Sequence, residues 1–239
     1  MAPSPPTGIE TLNTLPLPSF RDRLFPYDST LNYTHEGVST PLILELQTSS
    51  SISPSQIEAC FALIASTSSE DYKASSIGWS RAKKMKEMRL PDLRYMILKS
   101  RGQENGVESE SVVGFLSFML TYEDGHEVVY CYEVHLSSTL QGKGIGKRLM
   151  QMMEEVGRRS GVEKAMLTSF KANKVALMFY EKLGYEEDEY SPRARKLRNG
   201  IVKEPDYVIL SKRLVAKVKK PEVKDIKPSS ERNKKCKAG

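Results

Sequence analysis

The spacing of apolar residues changes several times along the chain, and each change marks an element. Residues 42–46 alternate apolar and polar, as a half-buried strand does. After Ser53-Pro54-Ser55 the spacing lengthens: Ile57, Cys60, Phe61 and Ile64 fall on one helix face, with Ser55 as the expected N-cap. Residues 72–79 read as a loop or bent helix, and 81–89 as a charged helix with few apolar anchors. Residues 95–99, 112–122 and 128–136 read as three consecutive strands. Their links are polar: 102–106, and Glu123-Asp124-Gly125-His126, whose Asp-Gly tip is a hairpin signal. Residues 112–120 are apolar enough for a central strand covered on both faces. A helix is expected from Lys143 to about Arg159, with Ile145, Leu149, Met152 and Val156 as one stripe and Gly161 as C-cap. Residues 165–169 form a short apolar strand, 172–183 a helix closed by Gly184, and 206–214 a last strand. This order predicts a mixed α/β domain and not a regular βαβ alternation.

Composition narrows the picture. The chain has 239 residues, of which 39% are hydrophobic, enough for one substantial core. Residues 1–40, rich in Pro, Ser and Thr, show no clean period and read as an N-terminal arm, partly ordered. Residues 41–215 read as the domain. From Ala216 to Gly239 there are nine Lys or Arg and three Asp or Glu. The whole net charge of +6 therefore sits in that stretch, and the other 215 residues carry 27 charges of each sign. A domain that binds nucleic acid directly carries its basic stripe on itself, so none is expected here. The tail reads as disordered and solvated, with nuclear import or polyanion tethering as the alternative. No apolar run reaches a membrane span, and residues 1–6 lack the pattern of a secretory signal. Cys60, Cys131 and Cys236 have neither disulfide nor zinc spacing, which points to a reducing, intracellular compartment and no metal.

The densest chemistry lies in Tyr130-Cys131-Tyr132-Glu133-Val134-His135-Leu136 and in the turn Gln141-Gly142-Lys143-Gly144-Ile145-Gly146-Lys147. A strand, a glycine turn and a helix N-terminus together make a site for a phosphorylated ligand. A Walker loop fails on spacing, and Arg148 stands where its hydroxyl residue belongs. A dinucleotide fingerprint fails because the glycines read GxGxG after an antiparallel meander.

The pattern Gln141-x-x-Gly144-x-Gly146 resembles the coenzyme A loop of the GCN5-related N-acetyltransferase superfamily. Asn173-Lys174-Val175-Ala176 through Phe179-Tyr180-Glu181-Lys182-Leu183-Gly184-Tyr185 resembles a later motif of the same superfamily. The resemblance implies the superfamily's fold, a mixed and mostly antiparallel sheet flanked by helices. It implies acetyl-CoA as acetyl donor, with coenzyme A as product. Val134, His135, Leu136, Gly142, Lys143, Gly144, Ile145, Gly146, Lys147 and Asn173 would bind it, with Tyr180 near its sulfur. Tyr130-Cys131-Tyr132-Glu133-Val134 resembles the histone-specific branch of the N-alpha-acetyltransferases. Tyr72 with Gly78-Trp79, residues 166–171 and residues 206–211 echo the same branch. This implies acetylation of the N-terminal serine of core histones that begin Ser-Gly-Arg-Gly, in cytoplasm and nucleus, by a monomer. Of two acidic residues on the strand before the hairpin in that branch, Glu123 matches the second, while Thr121 occupies the first position.

Acetyl transfer needs a neutral amine, and an α-amine with a pKa of roughly 7.7–8.0 is only about one-tenth neutral at pH 7. Glu133 is the candidate base, assisted by Tyr132. In a regular strand Glu133 shares a face with Cys131, opposite Tyr130, Tyr132 and Val134. A bulge near Glu133 and Val134 would re-aim the carboxylate and free an amide for the developing oxyanion. Tyr72, Trp79, Thr121, Tyr122, Glu123, Tyr130, Tyr132, Thr168, Tyr190, Ser191 and Tyr207 are the candidate peptide contacts. For Trp79 core packing is the first reading and the wall of a ligand groove the alternative; for Tyr130 and Tyr132 a place as core aromatics is the second reading. Glu123 is a better partner for a substrate Arg than the run 186–189, which reads as a solvated loop. The alternatives are acetylation of lysine side chains or small amines, and a non-catalytic acetyl-CoA-binding or chromatin-tethering module.

Overall fold

The computed structural model describes residues 8–25, 32–33, 42–104, 107–196, 198, 200 and 202–214. The basic tail 216–239 lies outside the described residues, as does most of 26–41. Eight strands form one sheet: β1 (Asn32–Tyr33), β2 (Leu42–Thr48), β3 (Arg94–Glu104), β4 (Val107–Glu123), β5 (His126–Leu136), β6 (Lys164–Phe170), β7 (Glu186–Glu187) and β10 (Tyr207–Arg213). Their order is β1-β2-β3-β4-β5-β6-β10-β7, with every pairing antiparallel except β5–β6. The two-residue strands β8 (Arg195–Lys196) and β9 (Val202–Lys203) pair separately.

Helices cover both faces. α1 (Ile9–Asn13), α2 (Leu17–Leu24), α5 (Ile145–Ser160) and α6 (Lys174–Lys182) pack on one, against Leu44, Leu116, Phe118 and Val129. α3 (Pro54–Ala74) and α4 (Arg81–Glu87) lie on the other, over Tyr95, Ile97 and Phe115. The buried run Phe115, Leu116, Ser117 and Phe118 makes β4 the central, two-faced strand that its composition predicts. The stripe Ile145, Leu149, Met152 and Val156 is buried as expected, and Gly161 closes α5 at φ 77°. The hairpin tip turns at Asp124 (φ 49°) and Gly125 (φ 83°), both left-handed as a type I′ turn requires.

Three boundaries differ from the sequence reading. The cap of α3 is Ser53, not Ser55: its hydroxyl accepts from the Gln56 amide while the Gln56 side chain accepts from the Ser53 amide. That reciprocal box starts the helix at Pro54, and the helix runs on to Ala74, so Tyr72 sits in its last turn. Residues 102–104 do not form a link. They continue β3, with Gly102 opposite Ser109. α5 starts at Ile145 and not Lys143, because Gly144 adopts φ 77°, outside the helical region.

Within the expected arm, Ile9, Leu12, Phe20, Leu24 and Phe25 enter the main core. Arg94 on β3 fixes them. Its guanidinium lies over the Phe20 ring at 3.9 Å and donates to the Asn13 side chain (3.0 Å) and to main-chain carbonyls of Asn13 and Asp92. Burial pulls Arg94 down to about 10, with Asp92 acting against it. Phe20 is fully buried, so Phe20→Ala is expected to destabilise the fold by about 3–5 kcal/mol. Chemical denaturation measures this, and a loss under 1 kcal/mol would mean the two helices add little to the core.

Candidate active site

β5 and β6 pair in parallel only from Val128–Cys131 to Lys164–Leu167. Beyond that point β5 stays with β4 as far as Leu136, while β6 stays with β10 as far as Phe170. The sheet therefore splits, and among the described residues the β6-facing backbone edge of Tyr132–Leu136 has no strand partner. At the end of β5, a short 3-10 turn (Ser138–Leu140) leads into the glycine turn and then α5. Gly142 takes φ 73° with nothing within 4 Å of where a Cβ would stand, and Gly144 caps α5 without any side-chain hydrogen bond. A split strand edge, an open glycine cradle and uncapped helix amides suit an extended ligand with a pyrophosphate. Asn173, at the end of β6, caps α6 through its side-chain oxygen on the Ala176 amide (3.0 Å). Its amide nitrogen donates to Asp71 of α3 (3.0 Å).

The bulge on β5 lies one residue before the expected place. Ser117 pairs with Glu133 and Phe118 with Cys131, which leaves Tyr132 as the extra residue. A strand turns successive side chains to opposite faces, so one inserted residue reverses everything after it. Cys131 packs in the core under α5, whereas Glu133 turns to the α3–α4 face and meets Lys84 and Tyr72. The regular-strand expectation that Glu133 faces with Cys131 is thereby corrected: it shares the face of Tyr130 and Tyr132.

Glu133 is buried and fully engaged. Its Oε1 accepts from Lys84 Nζ at 2.8 Å and from the Tyr72 hydroxyl at 3.2 Å. Its Oε2 lies 2.6 Å from His135 Nε2. Burial by itself would raise this carboxyl. Hydrogen bonds from His135 and Lys84, with the charge of Lys84 and of a protonated His135 ring, outweigh burial and hold it at about 2. Lys84 also donates to the Tyr72 hydroxyl (2.6 Å) and to Glu87 (3.0 Å), so its three protons are all used. Burial would lower Lys84, but Glu133, Tyr72 and Glu87 leave it raised. The sequence reading contains neither Lys84 nor Thr67. Only the shortage of apolar anchors in 81–89 hinted that something else on α4 is buried.

The ring of His135 is buried against α3, with Nδ1 2.6 Å from Thr67 Oγ1, so its backbone is the part left to face the split. Val134 and Leu136 direct their side chains to the core under α5 and likewise leave their backbone.

Several expected peptide contacts come together on the α3–α4 face. The Tyr130 and Tyr132 rings meet edge-on at 5.4 Å, and the Tyr130 hydroxyl bonds the exposed Thr168 at 2.6 Å. Tyr72 lies against Trp79 (5.5 Å) and Phe170 (4.8 Å), and Trp79 stacks on Phe61 (5.5 Å). Trp79 is therefore half core and half wall. Tyr207 pairs with Phe170 and shares its face, and the neighbouring Asp206 accepts from the Ser76 amide, tying the α3–α4 loop to β10. Thr121 and Glu123 fall on the same face of β4 as Met119, which packs on the α3–α4 side. The Glu123 carboxyl is raised by partial burial and by Asp124, and its field reaches Tyr130 and Tyr132.

Three expected contacts stand elsewhere. Tyr122 points to the opposite face, exposed, with its hydroxyl on Glu127 (3.2 Å), because alternation separates it from Thr121 and Glu123. Ser191 is buried and its hydroxyl accepts the Ile209 amide at 3.1 Å, a structural bond. Tyr190 lies near His126 (6.0 Å) and over Lys164 (5.3 Å), at the far end of the face from Glu133. In the acidic run Glu186 and Glu187 are exposed, but Asp188 is buried and pairs with Lys164 at 2.6 Å.

Residues 63–185 match the model of the acetyltransferase (GNAT) family. The chain belongs to the GNAT acetyltransferase family. With that membership come the acetyl-transferring class and acetyl-CoA as the acetyl donor. Among curated relatives, N-alpha-acetyltransferase 40 of Saccharomyces cerevisiae is 33% identical over 160 residues, 57% of this chain and 53% of that protein. An uncharacterized protein of Bacillus subtilis, YdhI, is 29% identical over 87 residues, 36% of this chain and 51% of its own length. The chain spans about half the length of the curated relatives it matches. Among solved structures, the NatC complex bound to Gag peptide and CoA aligns at 17% identity and TM-score 0.50, over 73% of this chain and 99% of the other. A GNAT acetyltransferase of Staphylococcus aureus Mu50 aligns at 13% and 0.50, over 72% and 99%. Both share the GNAT fold described above.

Among the described residues no helix is long and apolar enough to cross a membrane, and no group of three His, Cys, Asp or Glu is placed to hold a metal ion.

Proposed function

We propose that this GNAT chain acetylates the N-terminal α-amine of proteins, with chains that begin Ser-Gly-Arg-Gly, as core histones do, as preferred substrates. One observation carries the reading: the ionised Glu133 lies at the base of the Tyr72, Tyr130 and Tyr132 face, beside the point where β5 and β6 part. The identity to N-alpha-acetyltransferase 40 of yeast supports the same acceptor.

In this reading acetyl-CoA brings the acetyl group as a thioester, lying in the split with its pyrophosphate on the residue 142–147 turn. The backbone of Val134, His135 and Leu136 and the side chain of Asn173 would line its path. The peptide lies on the α3–α4 face, so its amine reaches the split from the side opposite α5. Glu133 attracts the incoming ammonium and takes its proton, directly or through one water, as the nitrogen forms its new bond. Tyr132, displaced by the bulge and raised by burial, stays a protonated phenol that orients the amine. Tyr180, buried and pushed far up by burial, also stays protonated and would donate to the departing sulfur. Glu123 faces the third residue, Arg, as a charge-assisted partner. A histone substrate fits an enzyme that works as a monomer in cytoplasm and nucleus.

A peptide panel tests this. A Ser-Gly-Arg-Gly peptide with a free N-terminus is expected to be acetylated, and the same peptide with a blocked N-terminus and an internal Lys is not. Acetylation of the blocked peptide at Lys would transfer the reading to a lysine acetyltransferase. Glu123→Gln is expected to raise KM for the free peptide about tenfold, in line with the ~1.5–3 kcal/mol of a hydrogen bond to a charged group, with kcat little changed. An equal KM for an Arg→Ala peptide in the wild type would remove Glu123 from the acceptor site.

A further inference from the structure

The ring of His135 makes two contacts, and their proton inventory is incomplete without a choice. Nε2 lies 2.6 Å from Glu133 Oε2, and an ionised carboxylate only accepts, so Nε2 carries a proton. Nδ1 lies 2.6 Å from Thr67 Oγ1, and that hydroxyl is also 2.7 Å from the Leu63 carbonyl oxygen. Thr67 has one hydroxyl proton for two acceptors. When it points at Nδ1, the ring is neutral. When it points at Leu63, Nδ1 must carry a proton of its own, and the ring is a cation. A single hydroxyl rotation satisfies either state, with no heavy atom displaced.

The surroundings decide what the difference does. Glu133 faces the ring from β5 and Thr67 from α3, Tyr72 of α3 with Lys84 and Glu87 of α4 lie behind Glu133, and Phe115 of β4 covers the ring at 5.7 Å. Glu133 thus keeps Lys84 as one permanent cation and gains a second only when the ring is charged.

We propose that His135 is a positioning residue that pins Glu133 Oε2 and, through the Thr67 hydroxyl, sets how readily Glu133 takes a proton. With the ring neutral the carboxylate faces one cation and accepts the substrate proton. With the ring charged it faces two, holds a proton less well, and turnover slows. The inference rests on the reading of Glu133 as base.

The test is kcat against pH at saturating acetyl-CoA and Ser-Gly-Arg-Gly peptide, for the full chain and for His135→Gln. Glutamine keeps an N–H donor for Glu133 and does not titrate. Wild-type kcat is expected to fall toward acid pH by up to tenfold per unit, and His135→Gln to flatten that limb. An unchanged acid limb in His135→Gln overturns the proposal. Glu133→Gln distinguishes the two levels. Undiminished turnover in Glu133→Gln defeats the base reading, whereas an inactive Glu133→Gln beside an unchanged His135→Gln profile defeats only the role of His135.

Discussion

Glu133→Gln is expected to lower kcat for acetyl transfer by ~10²–10⁴-fold, the usual contribution of a positioned general base, while acetyl-CoA affinity stays unchanged. The substitution is close to isosteric and keeps an oxygen for Lys84 or His135, but the amide nitrogen turns its own protons toward one of these donors. It also removes the charge that answers Lys84 from β5. Two consequences follow from the geometry. The proton acceptor disappears from the amine's path, and the cluster of Lys84, Glu87 and Glu133 loses the net negative charge that attracts an incoming ammonium. Acetyl-CoA meets neither effect, because its proposed contacts lie on the split edge and the glycine turn. Calorimetry with acetyl-CoA and steady-state rates with a saturating peptide separate the two. Turnover within tenfold of wild type would show that another group, or solvent alone, removes the proton.

Lys84→Met is expected to destabilise the fold by about 3–5 kcal/mol at pH 7, the cost of leaving one partner of a buried ion pair behind. Lys84 has a side chain only 6% exposed, and Glu133 one only 9% exposed, so water cannot take over the lost contact. The penalty should depend on pH, with a definite sign. Folding depresses the Glu133 carboxyl from its ordinary 4.5 to about 2. A depressed carboxyl stabilises the fold above its unfolded value, and that contribution is lost as pH falls from 4.5 toward 2. Removing Lys84 removes part of this contribution. The difference in unfolding free energy between wild type and Lys84→Met should therefore be full at pH 7 and shrink once the pH drops below 4.5. Denaturant unfolding at pH 7 and in mild acid measures both values. A difference that is the same at the two pH values would show that Lys84 acts by packing alone. Turnover should also drop, because Tyr72 loses its donor and Glu133 one of the groups that fix Oε1.

Much of this site is written locally. The glycine turn needs left-handed backbone at Gly142 and Gly144, and glycine supplies it wherever it stands in sequence. The stripe on α5 and the alternation on β2 each need only a window of a few residues. The Asp-Gly tip fixes the β4–β5 hairpin by its own backbone preference. These features gave the meander, the crossover helix and the ligand turn, and from them the class of chemistry.

What escaped the linear reading is of a different kind. Lys84 meets Glu133 across 49 residues and Thr67 meets His135 across 68, and neither has a neighbour in sequence that marks it. In 81–89 six of the nine residues are charged, and only the fold shows which Lys is buried. Tyr122 is expected in the groove with Thr121 and Glu123, yet strand alternation puts it on the far face.

The sequence by itself determined the elements, the glycine turn and the residue types that acetyl transfer requires. Only the tertiary structure decided where Glu133 points. Side chains along a strand repeat every two residues, so the single extra residue at Tyr132 moves Glu133 from the Cys131 face to the tyrosine face. Whether a bulge forms there depends on how β4 and β5 pair, and the residues that then surround the carboxylate come from α3 and α4.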